Sequence, residues 1–195
     1  MSSKTVSWGD NSQDNLTLTA EEWSGNQTVT VNTPENFYKQ RAKSIVFYSK
    51  TNSNVAATLQ CTQAAATYSW DQASISIPSD STSPITVVLS TNVSTVANLI
   101  VSLVDSMGEP VSWASITSLT AAGTGKWSVK ITPTLNEATS RTASLLATLN
   151  KGSISDVVAE AKVTQGADYI VNTVESDIVG VGAKGVWTNV ATLTA

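Results

Sequence analysis

The pentapeptide VTQGA, Val163–Ala167, closes a β-rich stretch of the chain, and CTQAA, Cys61–Ala65, closes another about a hundred residues earlier. Working back from the later phrase, Arg141 falls on Arg41 and RTASL on RAKSI. Further upstream SVKITPTLNEATSR falls on TVTVNTPENFYKQR, which sets Val129 on Val29, Ile131 on Val31 and Asn136 on Asn36. Past the arginines the register slips by two residues, and VVAEAKVTQGA then falls on VAATLQCTQAA. A match that survives a two-residue insertion in a hairpin loop marks a duplicated structural unit.

The duplicated unit reads as strands. Val29 and Val31 alternate with Thr28 and Thr30, the period of a half-buried strand. KSIVFYS is β-branched and aromatic, and KTNSN and NKGS supply turns. Val55, Ala57, Leu59 and Cys61 are expected on one face of the last strand, and Val157, Ala159, Ala161 and Val163 on the same face of its copy. NEATSRTASLLATL has the Ala and Leu content of a helix, but it is equivalent to KSIVFYS and is expected to be a strand too. Between the copies, SISIP, ITVVLS, ANLIVSLV and VSWASITSL are short runs bounded by Ser, Asp, Pro and Gly, the spacing of a β-sandwich. The expected organisation is a short β unit over 1–67, a complete sandwich over 68–168 and a strand-forming arm over 169–195, with units meeting near Ala65–Tyr68.

Composition narrows the function. Only 13% of the 195 residues are charged, about half the usual share, while Ser and Thr exceed a quarter of the chain. Such a surface is solvated by hydroxyls and backbone, as in β-rich extracellular or virion proteins. The net charge is −4, and Lys39, Arg41 and Lys43 are the densest basic cluster. No basic stripe is present to neutralise phosphates, so nucleic acid is not an expected partner. No apolar run reaches the ~20 residues that span a bilayer, so no membrane is expected either. The single cysteine excludes an internal disulfide. MSSKTVSWGDNSQD lacks the apolar core of a secretory signal. The expectation is a protein made in a cytoplasm with Met1 as its own start; a mature fragment given a new Met is the alternative.

Taken together, the residues Trp127, Val129, Ile131, Asn136, Arg141, Leu145, Val163, Thr164, Gln165 and Ala167 resemble the closing half of a BACON domain (Bacteroidetes-associated carbohydrate-binding often N-terminal). Ser69-Trp70 looks like that family's opening strand. In the first unit the matching residues are Val29, Val31, Asn36, Arg41, Ile45, Thr62, Gln63 and Ala65, so the likeness covers only its C-terminal half there. The resemblance implies tandem Ig-like β-sandwiches. It also implies one of two settings: secreted glycan-degrading systems of gut Bacteroidetes, or virion proteins of the phages that infect them, crAss-like phages included. Secreted members carry a signal peptide, so the opening sequence favours the phage setting.

Residues that could carry chemistry are few. With no histidine, Ser-His-Asp and Cys-His machinery and the commonest zinc ligands are missing. Asp10 and Asp14 in GDNSQDN could make a loose calcium site, but their spacing is not that of a calcium loop, and a polar turn is the better reading. Cys61 overlays Val163 and reads as a small apolar core residue rather than a nucleophile. GVGAKG, 180–185, fits G-x-G-x-x-G, yet a strand-like VWTNVATL follows it instead of a helix, so it reads as a glycine-rich turn. Neither a catalytic group, a metal nor a cofactor is expected.

Six tryptophans raise the question of sugar stacking. Trp70 and Trp127 take positions that are core in the family, whereas Trp23, Phe37 and Tyr38 are the better candidates for an exposed surface. Contact with another protein is the preferred role for them, since aromatics anchor interfaces; carbohydrate is the weaker option. The arm contains YIVNTV, DIVGVG and VWTNVATL, and isolated strands are marginal in water. Ile170, Ile178, Val179, Val181 and Trp187 are therefore expected to be buried in a sheet outside the second unit, in the same chain or a neighbour; an arm lying across another protein is the alternative. The expectation is a non-enzymatic auxiliary or decoration protein of a capsid, within a homo-oligomer or larger assembly, with the major capsid protein as a partner. The alternative is a carbohydrate-binding module of a gut bacterial surface system.

Overall fold

The computed structural model describes residues 4–26 and 28–168. Over these residues the fold is all-β, with thirteen strands and no helix. The GVGAKG turn and Ile170, Ile178, Val179, Val181 and Trp187 lie outside the described residues.

The second unit is β-sandwich-like. One sheet contains β6 (Tyr68–Trp70), β8 (Ile85–Thr91), β10 (Ala114–Ala121) and β11 (Lys126–Pro133) in the order β10-β11-β8-β6. The other contains β7 (Ser74–Ile77), β9 (Leu99–Val104), β12 (Arg141–Lys151) and β13 (Ile154–Gln165) in the order β7-β13-β12-β9. Every pairing is antiparallel except β7 with β13, which is parallel. Alternation drives the packing: Leu145 and Ala147 of β12 and Ala161 and Val163 of β13 point inward and are buried, against Val87, Leu89, Val129 and Ile131 of the facing sheet. Trp70 and Trp127 both pair with Leu89, so one row crosses β6, β8 and β11 into the core.

One detail of the expected facing pattern is corrected. Val157 is exposed rather than on the inward face with Ala159, because the ladder shifts between Ala147 and Thr148 and pairs Thr148 with Val157. The shift leaves Val158 as an extra residue, and a bulge of this kind reverses side-chain direction beyond it.

The first unit is smaller. β1 (Lys4–Ser7), β2 (Asn15–Leu18) and β3 (Val31–Asn32) form one sheet in that order, and β4 (Arg41–Tyr48) pairs with β5 (Ala56–Gln63) to form the other. Trp8, Leu16, Leu18 and Ile45 make its core. The expected strand around Val29 shrinks to Val31–Asn32, because among the described residues β3 has a neighbour on one side only, whereas β11 is held by both β10 and β8. Val55 likewise falls just outside β5 and is exposed.

The repeat is reproduced in strand pairing. Arg41 pairs with Gln63 across β4 and β5, and Arg141 with Gln165 across β12 and β13. Leu18 pairs with Val31 as Ile116 pairs with Ile131. β2, β3, β4 and β5 thus correspond to β10, β11, β12 and β13. Among the described residues, the strands that correspond to β6, β7, β8 and β9 are missing from the first unit.

Candidate interaction surface

The same short constellation closes both units. Asn36 donates from Nδ2 to the Lys39 and Ala64 carbonyls and accepts from the Tyr38 amide. Asn136 donates to the Thr139 and Gly166 carbonyls and accepts from the Ala138 amide. Each arginine donates from Nε to its glutamine, Arg41 to Gln63 and Arg141 to Gln165, and from Nη2 to a backbone carbonyl, Pro34 or Thr134. Each guanidinium also lies over an indole, 4.7 Å from the Trp8 ring and 4.9 Å from the Trp113 ring. Both tryptophans end a Val-Ser-Trp tripeptide, Val6–Trp8 and Val111–Trp113, a signal in the sequence that the alignment around the arginines did not reach.

The two copies differ in what surrounds them. In the second unit, β7 and the turn after it supply extra carbonyls: Gln165 Nε2 donates to Pro78 and Ser79 as well as to Thr134, the Asn136 amide to Ser79 and the Gly166 amide to Ile77. Gln63 Nε2 donates to Pro34 alone among the described residues. Burial follows the same division. Leu59, Cys61 and Phe47 are half-buried, while their counterparts Ala161, Val163 and Ala147 are fully buried. These side chains point inward in both units. What differs is the cover that β7, β8 and β9 supply in the second unit.

The first unit is therefore a β-sandwich-like half with open edges. Among the described residues β4 and β5 each have one neighbour, and one edge of β3 is free. An open groove of about 680 Å³ lies along β4, lined by Leu18, Trp23, Ile45, Phe47, Tyr48 and Ala56 among others. Trp23 stacks edge-on against Phe47 at 5.2 Å and stays 38% exposed; Tyr48 is 65% exposed. Unpaired edges with apolar side chains beside them are templates for another strand.

Phe37 and Tyr38 occupy a different place from Trp23, the joint between the units. The Phe37 ring lies 4.4 Å below the Lys151 ammonium, and its carbonyl accepts from the Tyr68 hydroxyl at 2.9 Å. The Tyr38 hydroxyl donates to the Asp156 carboxylate, and its carbonyl accepts from the Ala66 amide. Burial, together with the charge of Glu35, pushes the Tyr68 phenol up to about 12.

Asp14 also belongs to this joint, and Asp10 braces it from within the first unit through Arg41. Their carboxylates accept from Arg41 Nη1 at 3.2 and 3.0 Å, and Asp14 accepts from Lys151 Nζ at 2.9 Å. The GDNSQDN turn makes this possible through left-handed conformations at Gly9, Asn11 and Gln13. Burial alone would raise the Asp10 carboxyl; hydrogen bonds from the Ser12 hydroxyl, Arg41 and the Ser12 amide, with the Arg41 charge, outweigh it and hold it below its ordinary value. Nothing in the local sequence links Lys151 to Asp14, so this half of the joint was not legible beforehand. The hairpin tip around Gly152 completes it, with Ser153 N–H donating to Asn11 C=O at 3.2 Å.

Comparisons of the chain with protein-family models, with curated proteins and with solved structures gave no match.

Proposed function

We propose that the protein is a non-enzymatic structural protein built from tandem Ig-like units of BACON type, working through protein–protein interfaces as an auxiliary or decoration component of a phage capsid. The observation that carries an assembly role is the open side of the first unit, where, among the described residues, Phe47, Leu59 and Cys61 lack the cover that Ala147, Ala161 and Val163 have. Uncovered inward-facing side chains gain free energy when another surface removes them from water. The low charge content favours the same reading, because few like charges keep copies or partners apart. The duplicated Asn, Arg and Gln constellation supports the BACON assignment, since both copies use those residues to tie the last strand pair to the preceding turn. The virion assignment rests on the resemblance. Protein identification on purified particles of a Bacteroides-infecting phage, joined to a density map of the capsid, tests it. The expected result is the chain at a fixed stoichiometry to the major capsid protein.

A carbohydrate-binding module is the second reading, and Trp23 and Tyr48 are the observation that favours it. Both rings are open to solvent along one groove, the arrangement on which sugar rings stack. A glycan array decides: binding that Trp23→Ala abolishes supports the module, and a blank array supports the structural role.

A further inference from the structure

We infer that residues 169–195 of one copy complete the first unit of the next copy, so that chains join head to tail by strand donation. The inference concerns how copies join and stands apart from the particle they serve.

The first support is what the first unit lacks. It has the counterparts of β10 to β13 but, among the described residues, none of β6 to β9. The free edge of β5 corresponds to the edge of β13 that takes β7, and the free edge of β3 to the edge of β11 that takes β8. An occupant must therefore bring a β7-like run to one sheet and a β8-like run to the other.

The second support is the sequence of the segment. After Gln63 the chain forms β6 five residues on, β7 eleven residues on and β8 twenty-two residues on. After Gln165 the apolar runs YIVNTV, DIVGVG and VWTNVATL begin four, twelve and twenty-one residues on. Three runs thus recur in the order and spacing of β6, β7 and β8. DIVGVG would lie along β5 over Cys61 and Leu59, and VWTNVATL along β3.

The third support is geometric and selects a neighbour over the same chain. β13 starts at the joint, beside Ser153 and its bond to Asn11, and runs twelve residues away from it. At ~3.3 Å per residue the chain leaves the second unit roughly 36 Å from the joint. Returning to β5 and β3 of its own first unit would use about eleven extended residues of the segment. The three runs already occupy 169–193, so too few residues remain for all of them. A neighbour stacked beyond Arg141 needs no return. That end of the second unit is the counterpart of the Arg41 end, which the 151–153 hairpin covers, and among the described residues it is open, with Leu135 47% exposed.

The test uses two full-length variants. Val181→Asp with Trp187→Asp removes the donor's apolar runs and leaves the described residues untouched. Cys61→Glu removes the acceptor: the carboxylate sits opposite Lys43 on β4, where it pairs while open and is desolvated without cover when a strand is added. Masses are read by light scattering across concentration. The wild type is expected at two chains or more and rising with concentration, as an open heterologous contact does. Each variant alone is expected at the mass of one 20.4 kDa chain, and their mixture at two chains in equal proportion. Cys61, the single thiol, reports the contact directly and should react with a thiol reagent about tenfold more slowly in the wild-type assembly than in the donor variant. A wild type that stays at one chain overturns the inference, as does a mixture that fails to pair. A one-chain wild type whose thiol becomes reactive only in the donor variant would place the segment in its own first unit and equally overturn it.

Discussion

Arg141 Nε donates to Gln165 Oε1 at 3.0 Å across β12 and β13, and Arg41 Nε donates to Gln63 Oε1 at 2.8 Å across β4 and β5. The bond is the same, yet Gln165 is fully buried and Gln63 is half open. Gln165→Ala leaves the Pro78, Ser79 and Thr134 carbonyls and the arginine short of a partner, at a cost of about 1–3 kcal/mol for the buried groups. Gln63→Ala is expected to cost less than Gln165→Ala, because water replaces the lost amide and only the Arg41 Nε loses a buried acceptor. Urea unfolding of the two variants measures the difference, and equal losses would show that cover does not separate the copies.

The first unit is acid-sensitive through Asp10, which ties the GDNSQDN turn to Arg41. Its carboxyl is held below the ordinary value, so the folded chain binds that proton more weakly than the unfolded chain. The stabilisation is complete above the ordinary carboxylate value of about 4 and is lost as pH falls through the lowered value. Asp10→Asn should lower the melting temperature near pH 7 and converge on the wild type in strong acid. A gap that stays constant down to pH 2 would contradict the Asp10–Arg41 tie.

Tyr68 sets an alkaline limit at the joint between the units. Its phenol is pushed up to about 12, and it donates to the Phe37 carbonyl only while protonated. A raised acid contributes stability that is complete below the ordinary phenol value near 10 and is lost as pH rises towards the folded value. Ultraviolet titration should show one tyrosine that ionises near pH 12 in the wild type and is missing in Tyr68→Phe. Ionisation of every tyrosine near pH 10 would contradict the buried bond.

Gly152 is predicted to be the least replaceable residue of the β12–β13 hairpin. Its φ is 63°, and a Cβ there would stand 2.5 Å from the Asn11 carbonyl oxygen of the first unit. Gly152→Ala is expected to cost about 1–2 kcal/mol for the left-handed backbone, plus whatever the hairpin loses by backing away from Asn11. Limited proteolysis should then cut the Ala64–Thr67 link faster than in the wild type, while Gly108→Ala, with φ 86° but open space around it, leaves that rate unchanged.

The sequence by itself determined the strands and their correspondence. Period-two alternation in RTASLLATL and the two TQxA phrases depend only on which face of a strand meets water, and that is local information. The same alignment placed Cys61 over Val163 and Arg41 over Arg141, and the ladders pair them so. Tertiary structure alone decided how much cover each copy receives. Cys61 and Val163 hold the same position, but among the described residues only the second has a strand on its outer edge, β7, about ninety residues away in the chain. It alone also decided that Asp14 meets Lys151, that Phe37 and Tyr38 join the units, and that Trp23 faces a groove. Burial is a property of what stacks on a face, and a strand's own pattern says only that the face seeks a partner.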